Sequence, residues 1–283
     1  MNNAINDLLS DFAKKLHQQR YAPSSIKTYK NALAKFLVAF QHYDLEHISG
    51  QQIQNFIHNL QVQQRISTVY QKQILVSITK FYLLYYNRKL NLSAFYPTRQ
   101  SKPLPKYLTV TEVNRLLRQC TNLKHLCILK ALYGCGLRVS EVIALKVDDV
   151  DPYNMRLMIQ CDKGQKVRIV PLPKSLLRSL RKYDISFRPT NFLFEGRKKQ
   201  TYSVKSIQTF IKKYAKEAGI TKVVTPHILR HSYAAHQLEK GLDIRHLQEI
   251  MGHQSIKTTE RYIHILDHSK NHIANPLDRM SKI

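Results

Sequence analysis

Three prolines near the middle of the chain divide it into two parts that must fold around separate cores. Proline lacks a backbone donor and breaks a helix interior, so closely spaced prolines favour an extended connection. The segment 93–106 contains three prolines and three basic residues: Pro97, Pro103, Pro105, Arg99, Lys102 and Lys106. We predict an N-terminal domain of residues 1–97, a basic linker of residues 98–107 and a C-terminal domain of residues 108–283.

The first of these domains has the hydrophobic periodicity of α-helices. Four stretches of it place apolar side chains three and four residues apart, with short polar turns between them. Ser49 and Ser67 each precede such a stretch and suit the N-cap position, whereas Pro23 suits a first helical turn. The sequence therefore predicts a bundle of four helices, and no cluster of side chains within it suggests catalysis.

The second domain combines helices with one short stretch of strands. Thr109 and Glu112 form the sequence pattern of a capping box at the start of a helix. Residues 156–160 and 167–170 alternate apolar and polar side chains as strands do, and residues 161–165 between them have the composition of a hairpin turn. We predict a fold that is mainly α, with a small antiparallel β-sheet in this domain.

The charge of the chain indicates a polyanionic partner. Lys and Arg number 45 against 19 Asp and Glu, which gives a formal net charge of +26. Residues 1–97 carry 11 basic and 4 acidic side chains and the remainder carries 34 and 15, so the excess is not a basic tail. Such an excess repels itself in a compact fold and is typical of proteins that bind a nucleic-acid backbone. We expect both domains and the linker to contact nucleic acid.

Neither a metal site nor a membrane segment is expected. His227, His231 and His236 include the spacing of zinc ligands, but no cysteine or third ligand cluster accompanies them. The chain has no secretory signal pattern and no run of 18 apolar residues, so we expect a cytoplasmic protein. The cysteines form no C-x-x-C pair and are interpreted as core residues in a reducing compartment: Cys120, Cys127, Cys135 and Cys161.

The segment 225–232 is the strongest candidate for chemistry. Thr225 can cap a helix and Pro226 can occupy its first turn, which puts His227 and Arg230 on one face near the helix N-terminus. Backbone N–H groups and the helix dipole point the same way there, so this end of the helix forms a site for an anion. On its own, however, an H-x-x-R pair is more often ordinary surface polarity.

Three further basic elements and a tyrosine accompany this segment. Arg138 follows a turn bracketed by glycines, and His253 follows the predicted end of a helix. Lys163 lies at the predicted hairpin tip, where the adjacent glycine favours it over the nearby Lys166. Tyr262 lies nine residues after His253. By itself, however, it could be an ordinary half-buried residue, since the chain has 16 tyrosines.

Together these segments resemble the tyrosine recombinase (phage integrase) family, and its Xer-like members in particular. One motif alone would be a weak signal, but the ordered set is specific, and no expected catalytic position departs from it. Residues 21–37 also resemble, less strongly, the family's helical core-binding domain. The motifs span about 125 residues: Gly-Cys-Gly-Leu-Arg138-x-x-Glu141, the hairpin Lys163, Pro-His227-x-x-Arg230-His-Ser, Gly-His253-x-Ser and Thr-Thr-x-x-Tyr262.

The resemblance implies an enzyme that cleaves and rejoins DNA through a 3′-phosphotyrosine on Tyr262, without metal, ATP or another cofactor. Its fold would be a SAM-like core-binding bundle followed by an α/β catalytic domain. Arg138 and Arg230 would clamp the scissile phosphate, and His253 would donate a hydrogen bond to it. The other implied roles are proton acceptor for His227, general acid for Lys163 and structural support for Glu141.

The same resemblance implies double-stranded DNA as the partner and an association with the nucleoid. Two duplexes would be joined by a homo-tetramer, whereas the free protein would be a monomer, and Ile273 and Leu277 of the C-terminal tail are candidates for contacts between protomers. Two other classes stay open. A type IB topoisomerase shares the nucleophile and the cationic pocket, whereas a non-catalytic DNA-binding regulator would leave the ordered motifs unexplained.

Overall fold

A computed structural model describes residues 3–97, 106–160 and 167–263, and the chain forms two compact units, Met1–Ser101 and Lys102–Ile283. Three predictions concern segments outside the described residues. They are most of the linker, the hairpin turn with Lys163, and the tail with Ile273 and Leu277. The domain bounds given above stay predictions.

The N-terminal unit consists of helices connected by short turns, and a single 3₁₀ turn, Ser93–Phe95, follows the last of them. The predicted four-helix bundle is therefore confirmed. Its helices are α1 (Asn3–Gln18), α2 (Pro23–Ala39), α3 (Gly50–Gln64) and α4 (Thr68–Tyr86).

Local capping explains where two of these helices begin. The Ser49 hydroxyl accepts a hydrogen bond from the backbone N–H of Gln52 at 3.3 Å, and the Gln52 side chain accepts one from the Ser49 N–H at 2.8 Å. Ser67 caps α4 by accepting from the N–H of Tyr70 at 3.2 Å. Caps of this kind typically stabilise a helix by about 1 kcal/mol, and both were predicted from the sequence.

An aromatic core holds the N-terminal helices together. Phe12 of α1, Phe36 of α2 and Phe81 and Tyr82 of α4 are fully buried. Removing a side chain of this size from water contributes roughly 1.5–3 kcal/mol. The hydroxyl of Tyr82 donates to the carbonyl oxygen of Leu45 at 2.6 Å, so its polar end is satisfied inside the core.

The C-terminal unit is also mainly helical, and α5 begins at the predicted capping box. No helix within the described residues combines the length and the apolar character that crossing a membrane requires. The helices are α5 (Val110–Gln119), α6 (Leu123–Gly134), α7 (Val139–Ala144), α8 (Lys174–Phe187), α9 (Val204–Glu217), α10 (Pro226–Glu239), α11 (Ile244–Met251) and α12 (Ile256–Glu260).

A small antiparallel sheet interrupts the helices. Its strands are β1 (Val150–Asp151), β2 (Arg156–Gln160) and β3 (Val167–Pro171), in the order β1-β2-β3. Strands β2 and β3 pair with Met158 opposite Ile169, which confirms the predicted antiparallel pair. Strand β1 was not predicted, because two residues are too short to show a periodicity of two.

The described cysteines lie in the core of this unit, as predicted. Cys120, Cys127 and Cys135 are buried free thiols. Burial raises the pKa of Cys120 to about 11 and that of Cys127 and Cys135 to about 12. These thiols therefore stay protonated near neutral pH and act as small apolar side chains.

Candidate active site

One pocket of the C-terminal unit collects most of the side chains that the sequence singled out. Of the seven predicted site residues, Glu141 lies beneath the pocket among its arginines, and Lys163 lies outside the described residues. In the described part of the chain, no group of three His, Cys, Asp or Glu side chains could hold a metal ion. The pocket is lined by Arg138, His227, Arg230, His231, His253, Thr258, Arg261 and Tyr262.

The turn before α7 brings Arg138 to this pocket. Gly136 adopts a φ of +61°, a conformation that favours glycine, and a Cβ at this position would overlap the ring of Tyr233. Arg138 occupies the N-cap position, and its backbone N–H donates to Glu141 Oε2 at 2.7 Å. Its guanidinium donates from Nη1 to Glu141 Oε1 at 2.7 Å and from Nη2 to the carbonyl oxygen of Gly252 at 2.9 Å.

Helix α10 begins as the sequence predicts and carries the second arginine. The side chain of Thr225 caps this helix and Pro226 occupies its first turn. Arg230, one turn further along, is only 4% exposed. Its guanidinium donates from Nη1 to the carbonyl oxygen of Gly136 at 2.7 Å and from Nη2 to that of Met251 at 2.5 Å. Arg230 therefore ties the turn before α7 to the end of α11.

A buried carboxylate lies among these arginines. The side chain of Glu141 is 4% exposed, and it accepts two hydrogen bonds from Arg168 of β3, at 2.8 and 2.7 Å, in a bidentate arrangement. Arg138 donates to the same carboxylate, and Arg230 Nη1 lies 3.7 Å from its Oε2. Three guanidinium groups thus share one negative charge, and the cluster keeps an excess of positive charge.

The ionisation of this cluster is fixed near neutral pH. Burial alone would raise the pKa of Glu141, but hydrogen bonds and charge from Arg168, together with hydrogen bonds from Arg138, hold it below its usual value. Burial, followed by the positive charge of Arg138, lowers the pKa of Arg230 to about 10, so its guanidinium still carries its charge at pH 7. The pocket therefore presents a permanent positive charge suited to an anion such as a phosphodiester.

His253 lies beyond the left-handed C-cap of α11 and contacts Arg230. Nη2 of Arg230 lies 3.0 Å from His253 Nε2, and His253 Nδ1 lies 2.8 Å from Thr259 Oγ1. A guanidinium can only donate, so Nε2 accepts, and the proton of the neutral ring is on Nδ1, which donates to Thr259. Burial and the charges of Arg230 and Arg138 lower the pKa of His253 to about 4, which keeps the ring neutral at pH 7.

Tyr262 lies just beyond α12 and is only 3% exposed. Its Oη is 2.5 Å from Nδ1 of His231, the residue that follows Arg230 on α10. Burial raises the pKa of Tyr262, whereas the positive charges of Arg230, Arg261 and Arg138 act in the opposite direction. The hydroxyl is therefore protonated in the free protein, although it borders the positive cluster.

His227 lies at the exposed edge of the pocket. Its ring is stacked at 6.4 Å, centroid to centroid, from that of His231 one turn further along α10. The residue is exposed and lines the pocket. This histidine is therefore accessible to a ligand that enters the pocket, whereas the His231 imidazole faces Tyr262.

Two residues that contact the predicted site residues directly were missed by the sequence interpretation. His231 was considered only as a zinc ligand, although its place directly after Arg230 in the motif was the available signal. Arg168 shares a face of β3 with the buried Val170, and this alternation could have identified it as an inward-facing arginine. An arginine directed towards a core needs a carboxylate partner, and Glu141 is that partner.

Comparison with known proteins agrees with this fold. Residues 106–269 match the model of the phage integrase family, and residues 8–92 match that of the phage integrase N-terminal SAM-like domain. A tyrosine recombinase of Thermosipho africanus is 30% identical over 282 residues, which cover 94% of this chain and 96% of the relative. The tyrosine recombinase XerA of Pyrococcus horikoshii is 42% identical over 166 residues, which cover 57% of each chain.

Two solved structures are similar over most of the chain. The crystal structure of XerA recombinase has 28% sequence identity and a TM-score of 0.55, covering 95% of this chain and 99% of that one. The XerH site-specific recombinase, bound to palindromic difH substrate in a post-cleavage complex, has a TM-score of 0.75 at 21% identity, covering 93% of this chain and 83% of that one. The second likeness concerns the fold alone.

Proposed function

Because this chain belongs to the phage integrase family, it is a site-specific recombinase that cleaves and rejoins DNA, and we propose that Tyr262 is its nucleophile. The observation that carries the proposal is that Tyr262 lines the same pocket as Arg138, Arg230 and His253. In the proposed reaction the Tyr262 oxygen attacks a phosphodiester and the bond from phosphorus to the 5′-oxygen breaks. The products are a 3′-phosphotyrosine and a free 5′-hydroxyl.

The two arginines would stabilise the negative charge that grows on the phosphate in the transition state. The Arg230 guanidinium is held by two carbonyl oxygens and that of Arg138 by Glu141 and Gly252, so neither needs to reorganise when the phosphate enters. Donors that are already oriented in this way act most strongly where water is excluded. The phosphotyrosine retains the energy of the broken bond, so rejoining needs no ATP.

Proton transfers complete the proposed mechanism. Lys163 would protonate the departing 5′-oxygen, a role that rests on its place in the family motif. His253 would donate to the phosphate, and because its Nε2 accepts from Arg230 in the free protein, this ring must gain a proton or change tautomer as the anion binds. His227, at the exposed edge of the pocket, would assist as a proton acceptor, and Glu141 would orient the arginines.

The partner that we propose is double-stranded DNA. We also propose that the protein is cytoplasmic and associates with the nucleoid. The net charge of +26, spread over both halves of the chain, supports binding to DNA. Exchange of strands between two duplexes involves four cleavage sites. We therefore extend the proposal to a homo-tetramer on DNA that is a monomer when free.

A trapping experiment tests the nucleophile. Incubated with a nicked suicide DNA that carries its recombination site, the wild-type protein should form a covalent adduct visible on a denaturing gel. Tyr262→Phe should bind the DNA but form no adduct, because it lacks the attacking oxygen. Tyr153→Phe, which changes a tyrosine that is 93% exposed, is the matched control and should react normally. An adduct in the Tyr262→Phe protein would contradict the proposal.

A two-site assay tests recombination and the tetramer. A plasmid with two copies of the site should yield recombinants, and native gels should show a complex of four protomers with two duplexes. A plasmid without the site should stay supercoiled. Relaxation of that plasmid by the protein alone would instead favour a type IB topoisomerase.

A further inference from the structure

The pocket contains an imidazole to which the mechanism above gives no role. His231 Nδ1 lies 2.5 Å from the Oη of Tyr262, which is the atom that attacks the phosphodiester. We propose that His231 is a further catalytic residue, which accepts the phenolic proton of Tyr262 as the bond to phosphorus forms. This inference rests on the proposed function of Tyr262 as the nucleophile.

The surroundings of the hydroxyl fix the direction of this hydrogen bond. A buried phenolic hydroxyl needs an acceptor for its proton. The charged groups that act on Tyr262 are the guanidinium groups of Arg230, Arg261 and Arg138, which can only donate. His231 Nδ1 is the acceptor at hydrogen-bond distance, so the Tyr262 hydroxyl donates to it and the neutral ring carries its own proton on Nε2.

His227 has no comparable contact with the nucleophile. It is exposed, and its ring is 6.4 Å from that of His231, so the Tyr262 proton reaches His231 first. The proton-acceptor role that the resemblance implies for His227 would then act through the His231 ring, or on the phosphate. The two histidines of the motif Pro-His227-x-x-Arg230-His231 therefore have separate positions, one facing the solvent and one facing the phenol.

The charge around His231 makes its basicity depend on the substrate. Burial, then the charges of His227, Arg261 and Arg230, lowers the pKa of His231 to about 4, while burial raises the pKa of Tyr262 from its ordinary value. Transfer of the proton from Tyr262 to His231 is therefore unfavourable in the free protein, and the phenol stays protonated. The groups that face the His231 ring or line its pocket are His227, Arg230, Arg138, His253, Arg261 and Tyr262.

A bound phosphodiester changes this balance. The phosphodiester would lie beside Arg138, Arg230 and Arg261, which line the pocket. Its negative charge offsets the positive charge that disfavours an imidazolium, so it raises the pKa of His231. The step then balances as follows: the Tyr262 oxygen bonds to phosphorus, its proton moves to His231 Nδ1, and the electrons of the broken phosphorus–oxygen bond leave with the 5′-oxygen. In rejoining, the same proton returns to the tyrosine oxygen. The nucleophile is thus activated only when DNA occupies the pocket.

Replacement by asparagine separates proton acceptance from simple positioning. The Asn side-chain oxygen can take the place of Nδ1 as a hydrogen-bond acceptor, but an amide cannot take up a proton at these pH values. We expect His231→Asn to lower the single-turnover rate of adduct formation by about 10²–10⁴ near neutral pH, the range of a lost general base. The deficit should shrink steadily as the pH rises and the phenol ionises without help.

The same helix offers a matched control. His236 is also buried on α10, and its Nδ1 lies 3.0 Å from the hydroxyl of Tyr133, outside the pocket. His236→Asn therefore changes an equivalent pair without touching the nucleophile, and it should cleave DNA at the wild-type rate. If His231→Asn does not fold, His231→Gln provides a second variant with a longer amide side chain, and its rate should show the same dependence on pH.

A DNA whose scissile 5′-oxygen is replaced by sulfur distinguishes the base from the general acid. A thiolate leaves without being protonated, so this substrate should restore variants of Lys163 but not those of His231. Wild-type cleavage by His231→Asn, a deficit that is the same at every pH, or restoration by the sulfur substrate would each overturn the inference. The trapping result for Tyr262→Phe would stand in all three cases, whereas an adduct in that variant would remove both proposals.

Discussion

Replacing Arg230 with lysine is expected to slow strand cleavage by about 10²–10³, the loss typical when one oriented donor to a transition-state oxyanion is removed. The guanidinium makes three contacts at once, with the carbonyl oxygens of Gly136 and Met251 and with His253. A lysine ammonium is a compact charge without this planar fork, so it cannot hold both carbonyls and also face a phosphate. The rate of adduct formation with saturating DNA measures the effect directly.

The burial of position 230 adds to the loss of cleavage rate in Arg230→Lys. The site already lowers the pKa of Arg230 to about 10, and the ordinary pKa of lysine is about 10.4 before any such shift. A lysine enclosed beside Arg138 and Arg168 would therefore lose part of its charge near neutral pH. Relative to the wild type at the same pH, the activity of Arg230→Lys should consequently be higher near pH 6 than near pH 8, because the ammonium is retained more fully at the lower pH.

The control for this variant is the same substitution away from the pocket. Arg156 of β2 pairs with Asp151 at 2.8 Å and is 41% exposed at its side chain, so Arg156→Lys should leave both folding and cleavage close to wild type. Cleavage by Arg230→Lys within a factor of three of wild type, with folding intact, would contradict an electrostatic role for this guanidinium.

The sequence predicted the helices well because their signals are local. The Ser49 and Ser67 caps and the Thr109 capping box each depend on a side chain and a backbone group three residues away. The left-handed turn at Gly136 belongs to the same class, since a glycine between apolar stretches indicates a turn. Information of this kind is present in a short stretch of sequence and does not depend on tertiary packing.

The residues that line the pocket were predicted from a different kind of signal. The family motifs gave Arg138, Arg230, His253 and Tyr262, and these residues do line one pocket. Their order along the chain carries the resemblance, but it does not reveal which atoms contact each other. The contact between His231 and Tyr262 joins residues 31 positions apart, and no local periodicity could have predicted it.

Arg168 illustrates the limit more clearly. It lies 27 positions from Glu141, and the bidentate pair forms only because β3 packs beside α7 and the end of α11. In the sequence it is one of many basic residues on a strongly basic chain, so charge alone gives no reason to select it. Alternation along β3 could mark Arg168 as inward-facing, but its pairing with Glu141 can be recognised only once both partners are seen to be buried.

Replacing Glu141 with glutamine is expected to destabilise the protein by about 3–5 kcal/mol, because removing one partner of a buried ion pair leaves the other charges uncompensated. The side chains of Arg168 and Arg230 are 10% and 5% exposed, so neither can regain its hydration without movement of the fold. Glutamine also occurs at this position of capping boxes, so the start of α7 is preserved and the charge is the main change. Urea denaturation of the full chain, followed by circular dichroism, measures the loss.

Glu112 provides a control with the same local geometry. It occupies the equivalent position of the capping box at α5, and its carboxylate pairs at 2.8 Å with Lys222, whose side chain is 45% exposed. Glu112→Gln should therefore cost about 1 kcal/mol or less, as for other pairs near the surface. Equal losses in the two variants would show that helix capping, and not the buried arginine cluster, is what Glu141 supports.

The dependence on pH gives a second measurement of the same contribution. The pKa of Glu141 is lower in the folded protein than in the unfolded chain, where it is about 4.3, so folding favours the ionised form. Its contribution is therefore complete above the unfolded pKa and is lost as the pH falls through the folded pKa. The difference in stability between the wild type and Glu141→Gln should be constant from about pH 6 to 8 and should narrow below about pH 4. The buried histidines titrate in both proteins and largely cancel from this difference, so a gap that widened on acidification would contradict an ionised Glu141 as the centre of the cluster.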